Sequence, residues 1–252
     1  MTVQAQADGC ADSFAPVEAP MEAGASEVAV AGRGLDTRTT RAARSRSLAW
    51  EATKRLTDVL QVLVVLPLLL PLLALIALMI KLDSPGPALF RQTRHGRNRR
   101  PFVVLKFRTM RHQVSSEAHR RYIAELARCD GRGQSGLKKL TVDDRVTRLG
   151  AFLRRTSLDE LPQLVNVLLG QMSIVGPRPA IDYELEHYDP EHFTRFDVKP
   201  GLTGLWQVSG RNELGFREML ALDAEYARSY GPLTDAWILL RTPSTLVRRR
   251  AA

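Results

Sequence analysis

The chain has 252 residues, with 36 Lys plus Arg against 27 Asp plus Glu, a net charge of +9 and an apolar share of 44%. This composition excludes a wholly disordered chain and gives enough length for one or two domains with a substantial core. The two cysteines, Cys10 and Cys129, have no Cys or His at zinc spacing and exclude a disulfide framework, as expected of reduced thiols in a cytosolic setting.

Residues 1–32 hold no Lys or Arg but contain Asp8, Asp12, Glu18, Glu22 and Glu27, so every basic residue lies beyond them. So basic a remainder calls for an anionic partner: nucleic acid, acidic lipid or a phosphorylated substrate. Residues 1–40 are rich in Ala, Gly, Glu and Pro and read as a disordered acidic tail. The start lacks the pattern of a secretory signal, so export is not expected.

The chain then turns basic at Arg41, Arg44, Arg46, Lys54 and Arg55, and every side chain from Val62 to Ile80 is apolar. That run is about 19 residues, or about 28 Å of helix, which just reaches a hydrocarbon core of about 30 Å. A buried soluble helix would show a polar stripe; none is present, so residues 47–82 are expected to insert in a membrane. Both flanks are basic. Between Lys81 and Arg111 nine Lys and Arg face the single acid Asp83, so a spanning helix would send one basic set across the bilayer. A helix that enters, bends and leaves on one face keeps both sets inside. Pro67 and Pro71 can supply a bend, although kinked helices also span.

A soluble α/β region follows, over 83–242, with a basic tail at 243–252. Residues 83–87 form a turn with two prolines. Strands are predicted over 88–92 and 101–107, separated by a polar turn at 95–100. Helical spacing marks 113–129, and 130–134 is a glycine-containing loop. Helices are predicted over 145–155 and 158–169, a rigid Gly-Pro-Arg-Pro turn at 176–179, a short helix over 184–188, and helices over 216–230 and 233–240.

The candidate chemistry begins at Ser157-Leu158-Asp159-Glu160-Leu161-Pro162-Gln163. Ser157 and Glu160 fit a capping box, in which both carboxylates would be purely structural. Alternatively, Asp159 and Glu160 are held ionised by Arg154, Arg155 and the helix dipole. An ionised Asp can attack phosphorus, and a neighbouring carboxylate can hold Mg²⁺ together with substrate phosphates. Lys106 and Arg108 alternate onto one strand face and suit a phosphate. Arg178 stands between two prolines, with either an anion or a structural salt bridge as its partner. Residues 199–211 form a glycine-punctuated loop carrying Thr203, Gln207 and Arg211, either a nucleotide-approaching loop or a plain connector. Neither a phosphate-binding glycine loop of the Walker type nor a dinucleotide fingerprint occurs, and the five histidines form no metal pattern.

The order of these blocks carries more than any one of them. An apolar run with a central Pro is followed by Lys81-Leu82-Asp83-Ser84-Pro85-Gly86-Pro87, Phe90-Arg91-Gln92 and Lys106-Phe107-Arg108-Thr109-Met110. Then come Asp144-Arg145, Arg155 through Gln163, Val175-Gly176-Pro177-Arg178-Pro179 and Pro200-Gly201-Leu202-Thr203-Gly204. Over roughly Ser47 to Thr242 the chain closely resembles the bacterial sugar transferases, the monotopic polyprenyl-phosphate phosphoglycosyl transferases. The resemblance implies a mainly α, α/β fold: a re-entrant membrane helix, then a small cytosolic catalytic domain with interfacial amphipathic helices and a short sheet.

It also implies transfer of a sugar 1-phosphate from a UDP-sugar to undecaprenyl phosphate, with release of UMP and a need for Mg²⁺. Asp159 would form a covalent phosphosugar intermediate and Glu160 would help hold the metal. Lys106, Arg108 and Arg178 would neutralise phosphate, and Arg145, Arg155, Thr203, Gln207 and Arg211 complete the implied substrate-binding set. The membrane bend of the family falls on Pro71, with Leu70 in place of the family's Ser. Expected partners are the UDP-sugar, undecaprenyl phosphate and membrane lipid, with a homodimer as an allowed assembly. The implied location is the bacterial inner membrane, with the catalytic domain on the cytoplasmic face. The closing segment, Leu222-Asp223 to Thr242, resembles members that start exopolysaccharide or O-antigen units. A non-catalytic, membrane-tethered basic protein would better fit a chain that had lost the dyad. Nucleic acid is not expected as a partner, because aromatics do not interleave with the basic residues.

Overall fold

The computed structural model describes residues 37–111, 120, 123, 124, 127, 145–210 and 214–251, with side chains from 49 to 245. The expected tail lies outside the described residues up to 36, as does most of the helix expected over 113–129. The chain divides into two units, Met1–Arg46 and Ser47–Ala252. All contacts below lie within the second.

Among the described residues the fold is mostly helical with two short two-stranded sheets. Helix α1 spans Thr37–Asp83 and continues through Pro67 and Pro71, so an interruption at Pro71 is absent from it. One stripe of α1, at 51, 54, 55, 58, 62, 66, 69, 73, 76 and 80, is buried or half-buried, at helical spacing. The remaining faces expose Leu56, Leu60, Leu63, Val64, Leu68, Leu75 and Leu78. Both prolines lie on the exposed side. The outer surface is therefore as apolar as the packed stripe, which is why the sequence shows no polar face.

Both ends of the stripe carry polar ties to the rest of the second unit. Arg97 holds Glu51 through two bonds of 2.7 and 2.9 Å. Lys54 pairs with Asp235, and Arg55 donates to the carbonyls of Val167 and Leu168. Asp58 Oδ1 accepts the Ile174 N–H at 3.2 Å. At the far end Arg108 donates to the carbonyls of Ser84 and Pro85, each at 2.7 Å, and to Ile80 at 3.3 Å. Between the ties the contacts are apolar. Val62 joins Phe102, Val104, Leu164, Val167 and Met172, whereas Ile76 and Ile80 join Ala88, Phe107 and Leu153.

Strands β1 (Leu89–His95) and β2 (Pro101–Phe107) form an antiparallel hairpin, registered from Leu89 opposite Phe107 to His95 opposite Pro101. Strand β2 has the predicted bounds; β1 runs three residues further. Helix α2 (Arg148–Thr156) starts at Thr147, whose hydroxyl accepts the Gly150 N–H at 2.9 Å. A Cβ on Gly150 would lie 2.0 Å from the Thr109 carbonyl oxygen. Only glycine lets α2 lie this close to the exit of β2.

The helix expected over 158–169 is instead a 3-10 turn, Leu158–Glu160, followed by helix α3, Gln163–Leu168. Pro162 has no N–H to give and forms the boundary. The sequence did not reveal β3 (Ser173–Val175) and β4 (Gly201–Thr203), a parallel pair of three residues each, too short for an alternation signal. Further 3-10 turns span Asp182–His187 and Pro190–Asp197. The helices α4 (Leu205–Val208), α5 (Phe216–Ser229) and α6 (Pro232–Ala251) complete the order. Helix α6 continues through Pro243, so the stretch from 243 that was expected as a tail is helical.

Candidate active site

The carboxylates Asp159 and Glu160 stand on the 3-10 turn that leaves α2. Ser157, which ends α2, is left-handed at φ 58°, ψ 15°. Among the described non-glycine residues only Asn98, Arg99 and Ser157 have positive φ. Such a conformation costs of order 1 kcal/mol and recurs at functional sites. Ser157 makes no side-chain cap bond at the turn, so the capping-box alternative is not what the structure contains. The turn is closed by backbone bonds, Glu160 N–H to Ser157 O at 3.2 Å and Leu161 N–H to Leu158 O at 3.3 Å.

Glu160 is met by Lys106, whose Nζ lies 3.0 Å from Oε1; both side chains are 27% exposed. Lys106 reaches the dyad because residues 102, 104 and 106 alternate onto the inner face of β2, where Phe102 and Val104 enter the core. The hairpin register puts Gln92 and Arg94 of β1 on the same face. Arg94 is buried. It donates to the Pro179 carbonyl at 2.9 Å and to Gln92 Oε1 at 2.8 and 3.1 Å. Burial, and then the nearby charge of Arg178, push its guanidinium down to about 10, while Glu184, Tyr183 and Glu160 act in the opposite sense. Arg94 thus links the dyad electrostatically to the Gly-Pro-Arg-Pro turn.

Arg178 is 30% exposed and lies 3.6 Å from the carboxylate of Glu184, which is 1% exposed. Burial alone would raise the Glu184 carboxyl, but Arg178 and Arg94 outweigh it and hold it below its ordinary value. Glu184 therefore stays ionised as the shared counterion of two arginines. Its other oxygen accepts the Ile181 N–H at 3.1 Å.

The structure thus pairs Lys106 with Glu160 of the dyad, and gathers Arg94, Arg178 and Glu184 about the Gly-Pro-Arg-Pro turn. It sends other predicted residues elsewhere. Arg108 is buried and caps the end of α1: β2 stops at Phe107, and the Arg108 N–H donates to the Ala88 carbonyl at 2.9 Å. It does not stand beside Lys106 as a second phosphate cation. Thr203 is buried with its hydroxyl 2.9 Å from that of Thr242, which ties β4 to α6. Gln207 donates to the Leu202 carbonyl at 3.1 Å, and its Oε1 is buried without a partner among the described residues. Arg145 is half-buried, with its carbonyl accepting the Arg111 N–H at 2.9 Å. Arg155 is exposed on the last turn of α2, and Arg154 turns to the Thr109 hydroxyl at 2.8 Å. Arg211 lies outside the described residues.

Sequence reasoning missed Arg94, Glu184, Arg195 and Asp223. Arg94 had a usable signal, since pairing the two predicted strands puts it on the Lys106 face. Glu184 meets Arg178 only six residues away, through a turn with no periodic signal, and Arg195 and Asp223 meet across a separation of 28 residues.

The sequence matches the family described as Bacterial sugar transferase over residues 49–249. It is 42% identical over 209 residues to the UDP-glucose:undecaprenyl-phosphate glucose-1-phosphate transferase of Caulobacter vibrioides, covering 79% of this chain and 72% of that protein. It is 40% identical over 192 residues to the exopolysaccharide production protein ExoY of Rhizobium meliloti, covering 75% and 83%. It is 41% identical over 202 residues to the UDP-galactose-lipid carrier transferase of Erwinia amylovora, of which it spans 41%.

Proposed function

Because the chain belongs to the bacterial sugar transferase family, we propose that this transferase moves a sugar 1-phosphate from a UDP-sugar to undecaprenyl phosphate, the first membrane step of exopolysaccharide or O-antigen synthesis. The observation that carries the proposal is the dyad itself: two adjacent carboxylates on a strained turn, one of them held by Lys106. The Caulobacter and Erwinia relatives are named for glucose and galactose donors, and these sugars are the first candidates.

In the proposed reaction a carboxylate oxygen of Asp159 attacks the β-phosphorus of the UDP-sugar. The bond from that phosphorus to the bridging oxygen breaks, UMP leaves with the electron pair, and a phosphosugar ester of Asp159 remains. A phosphate oxygen of undecaprenyl phosphate then attacks the same phosphorus and displaces the Asp159 carboxylate. Lys106 fixes Glu160 beside the nucleophile, and Arg178 neutralises diphosphate charge, which is most of what phosphoryl transfer asks of a protein.

Mg²⁺ is the proposed cofactor. Among the described residues no cluster of three or more His, Cys, Asp or Glu could hold a metal. Two carboxylates that share an ion with substrate phosphates fit the coordination habits of Mg²⁺. Glu160 would help hold it, and the bound ion would supply charge neutralisation at the diphosphate.

The proposed topology is monotopic, on the cytoplasmic face of the inner membrane. Polar ties from one catalytic unit grip α1 at Glu51–Asp58 and again at Ile80–Pro85. Those points are separated by roughly 29 residues, or about 43 Å of helix, and a spanning helix would put them on opposite sides of a hydrocarbon core about 30 Å thick. Pro67 and Pro71 lie on the exposed side of a continuous helix, where ring crowding favours bending its ends toward the unit; Pro71 is the residue proposed for the family's membrane bend. Helix α6 adds exposed Leu233, Trp237 and Leu240, with the Arg241 guanidinium 4.5 Å over the Trp237 ring, as an interfacial anchor.

The test is UMP release by detergent-solubilised protein given undecaprenyl phosphate, Mg²⁺ and each of UDP-glucose, UDP-galactose and their N-acetyl forms. One donor should support release that depends on both lipid and metal. Asp159→Asn should abolish it and leave membrane binding intact. Full turnover by that variant would overturn the covalent route.

A further inference from the structure

The segment from Val175 to Ala180 carries Arg178, and nearly all of its backbone acceptors are engaged. The Tyr226 hydroxyl donates to Val175 O at 3.2 Å, and the Gly201 N–H to Pro177 O at 2.8 Å. Arg195 Nη2 donates to Arg178 O at 2.6 Å and Arg94 Nη1 to Pro179 O at 2.9 Å. The His95 N–H donates to Ala180 O at 2.9 Å, and the Gly176 N–H to Thr203 O at 2.8 Å. Pro177 and Pro179 fix φ on either side of Arg178. The backbone is thus a rigid mount for the Arg178 side chain, which is 30% exposed and meets Glu184.

One grip on this mount is built at unusual cost. Arg195, on the 3-10 turn Pro190–Asp197, and Asp223, on α5, have side chains only 2% and 1% exposed. The same Nη2 that holds the Arg178 carbonyl donates to Asp223 Oδ2 at 2.6 Å, while Nη1 donates to the Tyr188 hydroxyl. The guanidinium lies 5.3 Å from the Tyr188 ring centroid and 5.9 Å from that of Phe196. A buried ion pair is weak evidence for stabilisation, since well-packed apolar residues often replace one without loss. What apolar residues could not replace here is the donor aimed at the Arg178 carbonyl.

We propose that the Arg195–Asp223 pair is a positioning device: Asp223 orients Arg195, and Arg195 locks the Arg178 carbonyl so that the Arg178 guanidinium is presented ready-formed to the diphosphate of the donor. The proposal rests on the reading of this site as a UDP-sugar site. Both residues act through Arg178, and neither touches substrate. A preformed cation matters for this chemistry because placement errors near 1 Å can cost about a hundredfold in rate.

The experiment separates positioning from stability with the double variant Arg195→Met/Asp223→Leu, which removes the charges together. Asp223→Asn alone should lower thermal stability, because it strands a buried guanidinium. The double variant should melt above Asp223→Asn, its remaining loss reflecting the unpaired Arg178 carbonyl and Tyr188 hydroxyl. It should nonetheless raise the KM for the UDP-sugar between about tenfold and a hundredfold, with the KM for undecaprenyl phosphate unchanged. Amide hydrogen exchange across 176–181 should quicken by about tenfold or more while β1 and β2 stay protected. Should the double variant fail to fold, Arg195→Lys keeps the charge beside Asp223 but loses the planar fork that serves two acceptors, and the same KM split is expected. Recovery of donor KM together with stability, or unchanged exchange at 176–181, would overturn the proposal. A wild-type protein that releases no UMP from any donor would sink the functional reading instead, and the exchange measurement would still decide the positioning role.

Discussion

Asn166 gives the sharpest quantitative prediction, because its side chain completes a two-stranded sheet. It is 1% exposed on α3. Its Oδ1 accepts the Leu105 N–H at 3.1 Å, and its Nδ2 donates to the Val103 carbonyl at 2.7 Å and to Gln171 Oε1 at 2.7 Å. The amide thus stands where the peptide of a third strand would stand, on the edge of β2 that β1 does not cover. Replacing it with Leu keeps the approximate volume and removes all three bonds. Val103 is 44% exposed, so water can reach its carbonyl; the main penalty falls on the Leu105 N–H. Unpaired buried groups cost about 1–3 kcal/mol each, so Asn166→Leu should lose about 2–3 kcal/mol. For a unit of this size that is a fall of roughly 4–12 °C in melting temperature, read by thermal unfolding in detergent. Lys106 is the next residue of the same strand, so UMP release should fall as well. A melting temperature within about 2 °C of wild type would refute the claim that this amide holds β2 in place.

Lys106→Met should separate catalysis from stability. Its half-exposed pair with Glu160 contributes less than about 1 kcal/mol to folding, yet UMP release should fall by about a hundredfold or more; equal losses in both would count against the assigned role. Gly176→Ala should destabilise by roughly 1–3 kcal/mol or more, because the new Cβ would lie 2.4 Å from the Lys199 carbonyl oxygen, and thermal unfolding reads this directly. His95 predicts a pH dependence. Burial alone would lower its pKa, but the bonds to the Arg99 carbonyl and the Asp182 carboxylate outweigh that and raise it above its ordinary 6.5. Its stabilisation is therefore full below 6.5 and is lost as pH rises through the raised value. Wild type should lose melting temperature relative to His95→Gln over that rise; parallel profiles would contradict the assignment.

What the sequence revealed and what it hid follow from the range of the interactions. Strand β2 and the dyad were legible because alternation and adjacent charges are local signals, and the membrane helix because an apolar run has a length. The partnership of Lys106 with Glu160, 54 residues apart, leaves no local signal, and Lys106 was read only as a phosphate cation. Arg108 was misplaced because alternation was carried one residue past the end of β2. There the chain turns, and the guanidinium finds the open carbonyls at the end of α1. The parallel pair β3–β4 and the Arg195–Asp223 contact leave no periodic trace, because each depends on segments brought together only by the finished fold.

The packing of α1 has a consequence for the whole enzyme. The core beneath β2 is closed by Val62, and the core beneath α2 by Ile76 and Ile80. Strand β2 carries Lys106 and α2 leads into Asp159 and Glu160, so both halves of the site rest on the helix that meets the membrane. Deleting α1 would expose Val104, Val167, Met172, Phe107 and Leu153 together, surface that is worth roughly 25 cal/mol per Å² to bury. The catalytic unit is therefore not a soluble domain hung on a separate anchor. In the proposed monotopic arrangement, the residues that hold the dyad would also set its depth at the bilayer surface, and the proposed lipid acceptor would meet a site built at the level of its phosphate.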